Sequence, residues 1–187
     1  VLTNDDDGTR NIWLEAASAY FGEPMIKRAY NVEEAFNKTR EQVMEFFDAC
    51  IETIFNTVPV RDQAAETLRI LAERGCLVHL ITHRDTRHRQ ITENWLQRHG
   101  IPYHSLSMCP TGFGYSKRDR CLELGVQFFV DDKLENAEEV ASSGIYTLLF
   151  HASHNAMRPT NLPLVKNWRE IGEHIDLFLE QRRRQAR

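Results

Sequence analysis

The chain has 187 residues and a mass of 21.8 kDa, room for one ordinary domain with an insertion but not for two independently folding units. With 42% hydrophobic residues, 27% charged residues and only 9 Gly and 6 Pro, it has the composition of a chain that buries a sizeable core, which excludes disordered, collagen-like and low-complexity classes. A formal charge of -4, from 23 Lys and Arg against 27 Asp and Glu, gives no general attraction to a nucleic acid polymer or an anionic membrane.

No run approaches the ~18 unbroken apolar residues of a membrane span. The first residues meet the acids Asp5, Asp6 and Asp7 at once, unlike a signal peptide, so a cytoplasmic location is expected. Position 1 is Val, and a few residues upstream of it are expected. Cys50, Cys76, Cys109 and Cys121 lie far apart with no CxxC pair, the usage of reduced thiols.

In chain order, Val1–Asn4 reads as a brief first strand. Residues 10–56 carry no strand signal. Ile12 to Tyr20 is helical in pattern, and Val43, Phe46, Phe47, Cys50, Ile51, Ile54 and Phe55 form a broad apolar stripe at helical spacing. Asp62 is placed to cap a helix carrying Ala65, Leu68 and Leu71, with Gly75 at its end. Cys76–Thr82 is the second strand, and Arg87–His99 a helix closed by Gly100 and Pro102. Tyr103–Met108 is the third strand, Lys117–Leu124 a helix, Val126–Val130 the fourth strand and Glu135–Ser143 a helix. Ile145–Phe150 is the fifth strand, and Trp168, Ile171, Ile175 and Phe178 mark a last helix. The arginines Arg182, Arg183, Arg184 and Arg187 form a solvated helix end that suits the helix dipole. Strands alternating with helices predict an α/β fold with a parallel sheet, and a ligand site at the carboxyl ends of its strands.

The chemistry concentrates at those ends. In an extended chain residues i and i+2 share a side, so Asp5 and Asp7 face one site while Asp6 points away. Two carboxylates that close call for a divalent cation or a shared proton, and Gly8 lets the backbone turn. Leu80-Ile81-Thr82-His83-Arg84 closes the second strand, Lys117 opens a helix after the Gly112–Ser116 loop, and Phe128-Phe129-Val130-Asp131-Asp132 is an apolar strand ending in paired acids.

These four segments, in this order, resemble the motifs of the haloacid dehalogenase superfamily, phosphatase branch. The resemblance implies an α/β Rossmannoid three-layer sandwich with a five-stranded parallel sheet and a small helical cap inserted after the first strand. The core would comprise residues 1–9 and 58–187, and the cap residues 10–57. It further implies Asp5 as nucleophile and Asp7 as acid–base, with Thr82, His83 and Lys117 on the phosphate. Asp5, Asp7, Asp131 and Asp132 would hold Mg2+.

The physical reason for such a set is charge. A phosphomonoester dianion repels a carboxylate nucleophile unless a metal ion and a lysine screen it. A second acid then protonates the leaving alkoxide and later activates water, the trait that separates phosphatases from dehalogenases in this superfamily.

The small cap implies a small phosphorylated metabolite, and Trp13, Tyr30 and Phe36 are its candidate pocket residues. Val130-Asp131-Asp132-Lys133, then His151 to Asn155 with its His154-Asn155 pair, then Trp168, are similar to the 5'(3')-deoxyribonucleotidase family, which implies a nucleoside monophosphate. A phosphatase of another metabolite such as a sugar phosphate, or a non-catalytic phosphate-binding member, stays open, and a homodimer is compatible with the sequence. Leu2 to Asp6 also resembles the start of the survival-protein nucleotidases, whose later motifs fit less well. His79 with His83 and His151 with His154 lack a third ligand at zinc-site spacing.

Overall fold

The computed structural model describes residues 1–3, 10–108 and 116–185. The first helix, α1 (Ile12–Phe21), starts where the Asn11 side chain accepts from the Leu14 amide at 3.0 Å, and stops at Gly22 in the left-handed region. A short α2 (Val32–Phe36) follows, then α3 (Arg40–Thr57), which opens on a capping box. There Thr39 Oγ1 accepts from the Gln42 amide at 3.4 Å and the Gln42 side chain accepts from the Thr39 amide at 3.0 Å.

The stripe along α3 serves two cores. Val43 and Phe46 pack with Leu14, Ala17, Val32, Ala35 and Phe36 into a helical cluster, whereas Ile51, Ile54 and Phe55 join the main core. That division explains the stripe's breadth, because the helix meets different neighbours along its length.

α4 (Ala64–Glu73) departs from expectation at its start. Asp62 does not cap it: Gln63 holds the N-cap position at φ 64, with no side-chain cap bond. Its end follows the sequence reading, for Gly75 at φ 85 lets its amide reach the Ala72 carbonyl and the Cys76 amide reach the Leu71 carbonyl, both at 3.0 Å.

The strands are β1 (His79–Thr82), β2 (Ser105–Met108), β3 (Phe128–Asp131), β4 (Tyr146–Phe150) and β5 (Leu164–Val165). A 3-10 turn (Thr86–His88) leads into α5 (Arg89–Arg98); α6 (Lys117–Glu123) precedes β3, α7 (Leu134–Ala141) links β3 to β4, and α8 (Trp168–Gln185) follows β5. All ladders are parallel, the consequence of helical crossovers.

The described residues do not show a single five-stranded sheet, and the expected first strand, Val1–Asn4, runs past them at Asn4. Among the described residues there are two sheets, β1-β2 and β3-β4-β5. Val1–Thr3 belongs to neither: Thr3 forms an isolated antiparallel bridge with Val60, the Leu2 carbonyl accepts from the Arg61 amide at 2.9 Å, and the Val1 carbonyl accepts from Trp168 Nε1 at 3.2 Å. β1 also starts later than expected because His104 occupies the backbone of Val78, its ring accepting from the Val78 amide at 2.9 Å and its amide donating to the Val78 carbonyl at 2.7 Å. β5 is too short to leave a periodic signal.

Trp95 (2% exposed) anchors the main core, donating from Nε1 to the Val58 carbonyl at 3.0 Å and meeting Phe55 edge-on at 6.4 Å. Among the described residues no helix is long and apolar enough to cross a membrane. Replacing Trp95 by Ala removes this packing and leaves the Val58 carbonyl without its donor. A loss of about 3–5 kcal/mol is expected, read as a lowered urea midpoint.

Candidate functional site

β1 and β3 end at the same pole of the molecule, and α6 delivers a lysine between them. Ser116 caps α6, its Oγ accepting from the Asp119 amide at 3.1 Å, so Lys117 is the first helical residue. Its ammonium lies 2.6 Å from Asp131 Oδ2, with the two side chains 12% and 4% exposed. The second oxygen, Oδ1, accepts from the Lys133 amide at 2.8 Å, and Asn136 Nδ2 approaches Oδ2 at 3.4 Å. A carboxylate this deeply buried needs all three partners to offset lost hydration. Asn136 and the Lys133 amide were not legible as partners, because a turn that folds back on its own strand has no spacing signature.

Thr82 and His83 lie on the facing strand end and line the same cavity as Lys117, Asp131 and Asp132. Thr82 Oγ1 accepts from the Arg84 amide at 3.3 Å, which orients the hydroxyl. His83 is pushed down to about 4, first by burial and then by the Lys117 charge, with Asp131 pulling the other way. The imidazole is therefore neutral at neutral pH.

Asp132 is held by its backbone. Its carbonyl accepts from Asn155 Nδ2 at 2.6 Å and lies 3.0 Å from His154 Nε2, while its carboxylate sits 3.5 Å from the same ring nitrogen. Asn155, 3% exposed, also donates to the Phe150 carbonyl at 2.8 Å and accepts from the Ala152 amide at 3.0 Å. The His-Asn pair thus ties the segment after β4 to the acidic end of β3.

Of the three aromatics expected to line a cap pocket, Trp13 and Tyr30 border the cavity. Tyr30 meets His154 edge-on at 4.9 Å and takes the Lys133 ammonium over its ring at 4.8 Å. Trp13 packs against Phe47 at 5.3 Å and Phe55 at 6.2 Å. Phe36 is corrected: at 1% exposure it fills the helical cluster against Phe21, because its place on α2 turns it inward.

Asp5 and Asp7 lie outside the described residues. Asp131 and Asp132 suit a hard divalent cation by donor type, but among the described residues no group of three His, Cys, Asp or Glu comes together to hold one. His79 is engaged elsewhere, with Nδ1 2.7 Å from Ser105 Oγ.

Comparison with known proteins places this geometry. No family model matches the chain. It is 27% identical over 154 residues to a Bacillus cereus protein provisionally named a nucleotidase, covering 79% of this chain and 78% of that one. It is 26% identical over 149 residues to a Chlorobaculum tepidum protein provisionally named a 5'(3')-deoxyribonucleotidase, covering 76% and 68%. A haloacid dehalogenase superfamily hydrolase from Geobacter sulfurreducens superposes with a TM-score of 0.60 at 14% identity, over 95% of this chain and 91% of that one. The fold is that of the haloacid dehalogenase-like hydrolases, and the sequence relatives carry nucleotidase names.

Replacing Lys117 by Ala strands Asp131 as an unpaired buried charge. A destabilisation of about 3–5 kcal/mol is expected, while Lys117→Met combined with Asp131→Asn leaves no buried charge and recovers most of it in the same urea titration.

A pH dependence follows as well. His79, His83, His88 and His99 are all held below the ordinary imidazole value of 6.5, burial being the first cause in each. Below that pH the unfolded chain binds more protons than the folded one, so stability present above it is lost as pH falls towards about 4, where His83 titrates. Urea midpoints at about pH 7.5 should exceed those at about pH 5; a midpoint that rises on acidification contradicts the assignment.

Proposed function

We propose that this chain is a Mg2+-dependent phosphomonoester hydrolase of small phosphorylated substrates, nucleoside monophosphates foremost, acting through an aspartyl-phosphate. The observation that carries the reading is the Lys117–Asp131 pair, 2.6 Å apart, lining one cavity with Thr82 and His83. An ammonium group has three donors, and Asp131 takes one, which leaves two for phosphate oxygens. The Thr82 hydroxyl is a further donor, and neutral His83 donates through whichever ring nitrogen carries the proton. Together they oppose the charge that builds on a transferring phosphoryl group.

Bound Mg2+ would neutralise charge on substrate and carboxylates, and Asp131 and Asp132 with Asp5 and Asp7 are the residues that would hold it. By motif resemblance, the Asp5 carboxylate attacks phosphorus and the ester P–O bond breaks. Asp7 hands its proton to the departing alkoxide. Asp7 then takes a proton from water, whose oxygen attacks phosphorus and releases Asp5 and inorganic phosphate.

The cap, residues 10–57, brings Tyr30 and Trp13 to the cavity, where a nucleobase would stack. The nucleotidase names of the sequence relatives support that substrate class. Cys50, Cys76 and Cys121 are free thiols, which suits a reducing cytoplasm.

The test is phosphate release from nucleoside 5'- and 3'-monophosphates, deoxy and ribo, and from sugar phosphates, with and without Mg2+. Mg2+-dependent release from nucleotides is expected, abolished in Asp5→Asn and Asp7→Asn. Preference for sugar phosphates overturns the nucleotidase reading. Undiminished turnover in both variants moves the nucleophile to another residue, and no turnover of any ester overturns the enzyme.

A further inference from the structure

We propose that Asp48 is a positioning residue for phosphate transfer, acting through Arg87 on the loop that aims the Thr82 hydroxyl. The proposal rests on the phosphatase reading, since it concerns how that site is held. Asp48 belongs to α3, in the segment proposed as the cap, and its partners follow β1.

Residues 83–88 lead from β1 towards α5, and α3 grips them at two points. The Arg84 guanidinium lies over the Phe55 ring, 3.7 Å from its centre. Two helical turns earlier, both Asp48 oxygens engage Arg87: Oδ1 lies 2.9 Å from Nη2, and Oδ2 accepts from Nη1 at 3.1 Å. Positions seven apart share a helix face, so one face of α3 receives both arginines. His88 Nε2 stands 3.6 Å from the same Oδ1.

α5 holds the loop from its other side. Thr92, 5% exposed, donates from Oγ1 to the His88 carbonyl at 2.8 Å and accepts from Arg84 Nη1 at 3.4 Å. Within the loop, Asp85 Oδ1 accepts from the Arg87 amide at 3.0 Å.

This scaffold fixes the amide that orients Thr82. The Arg84 N–H donates to Thr82 Oγ1 at 3.3 Å, leaving the hydroxyl proton for a phosphate oxygen. That bond is longer than the about 3.0 Å usual for its kind, so a small shift of the loop breaks it. A displacement of α3 therefore reaches Thr82 through two arginines.

Magnitudes separate this role from a structural one. The Arg87 and Asp48 side chains are 43% and 49% exposed, and an ion pair so open to water adds little to stability. A two-bond fork instead supplies geometry, because it holds the guanidinium in one orientation. Donors aimed at a transferring phosphoryl group lose much of their effect when displaced. Asp48 should thus matter for rate far more than for stability.

The test compares the full chain with Asp48→Asn, Arg87→Lys, Thr82→Val and Asp48→Asn/Thr82→Val. Three quantities are read: phosphate release from nucleoside 5'-monophosphates with Mg2+, the urea midpoint, and exchange of the Arg84 amide with solvent by NMR. Asp48→Asn should lower kcat about tenfold and speed Arg84 exchange at least about fivefold, with the urea midpoint unchanged. Arg87→Lys, which keeps the charge but not the fork, should match it. Added to Thr82→Val, Asp48→Asn should lower kcat no further, because the two act in series. Unchanged kcat or unchanged Arg84 exchange in Asp48→Asn, full activity in Arg87→Lys, or multiplying losses in the double variant overturn the proposal. A parent that releases no phosphate overturns the phosphatase reading, whereas Arg84 exchange judges the Asp48 coupling in the same proteins.

Discussion

The buried ion pair between Lys117 and Asp131 is the constraint on which the site depends. Lys117 starts α6 and Asp131 ends β3, so a contact of 2.6 Å at 12% and 4% exposure fixes the helix start against the strand end. Neither charge is tolerable there alone. The cost of burying both is offset by the Lys133 amide and Asn136, while burial first and the Lys117 charge second keep His83 neutral across the cavity. In the proposed function, a positive group with spare donors beside a neutral imidazole and an oriented hydroxyl would set the field for an anion before the ligand arrives.

Around this pair the molecule is arranged as a helical layer above strand ends. α3 carries the connection, with its first half in the helical cluster and its second half in the main core. Arg84 lies over the Phe55 ring at 3.7 Å, and Arg87 reaches the Asp48 carboxylate at 2.9 Å, so the segment after β1 is tied to the same helix. Tyr30 makes the corresponding contact with the segment after β4 through His154. The cavity is thus bordered by both halves of the chain's chemistry, aromatic on the helical side and charged on the strand side.

Much of this was legible because periodic burial leaves periodic sequence. The apolar runs around β1, β3 and β4, the stripe of α3 and the Gly75 stop all follow from local rules that the packing obeys. What escaped were contacts between segments distant in sequence. His104 delays β1 by occupying the backbone of Val78, Val60 draws Thr3 aside, and Gln63 replaces Asp62 at the start of α4. Phe36 illustrates the limit of composition, since an aromatic in a cap has the same signal whether it faces a ligand or a neighbouring helix. At the site, Lys117 and Asp131 were readable as motif positions, but the engagement of Asp132 through its carbonyl by Asn155 was not, because main-chain acceptors carry no residue identity.

Thr82 and Asp131 end β1 and β3 and line one cavity with Lys117. The proposed phosphatase chemistry requires that Lys117 bind phosphate. The direct measurement is calorimetric titration of inorganic phosphate into the full chain and into the Lys117→Met/Asp131→Asn variant, which removes the ammonium without stranding a charge. The account predicts an affinity at least about tenfold weaker in the variant, a difference of ~1.4 kcal/mol. Equal affinity in two folded proteins would contradict it.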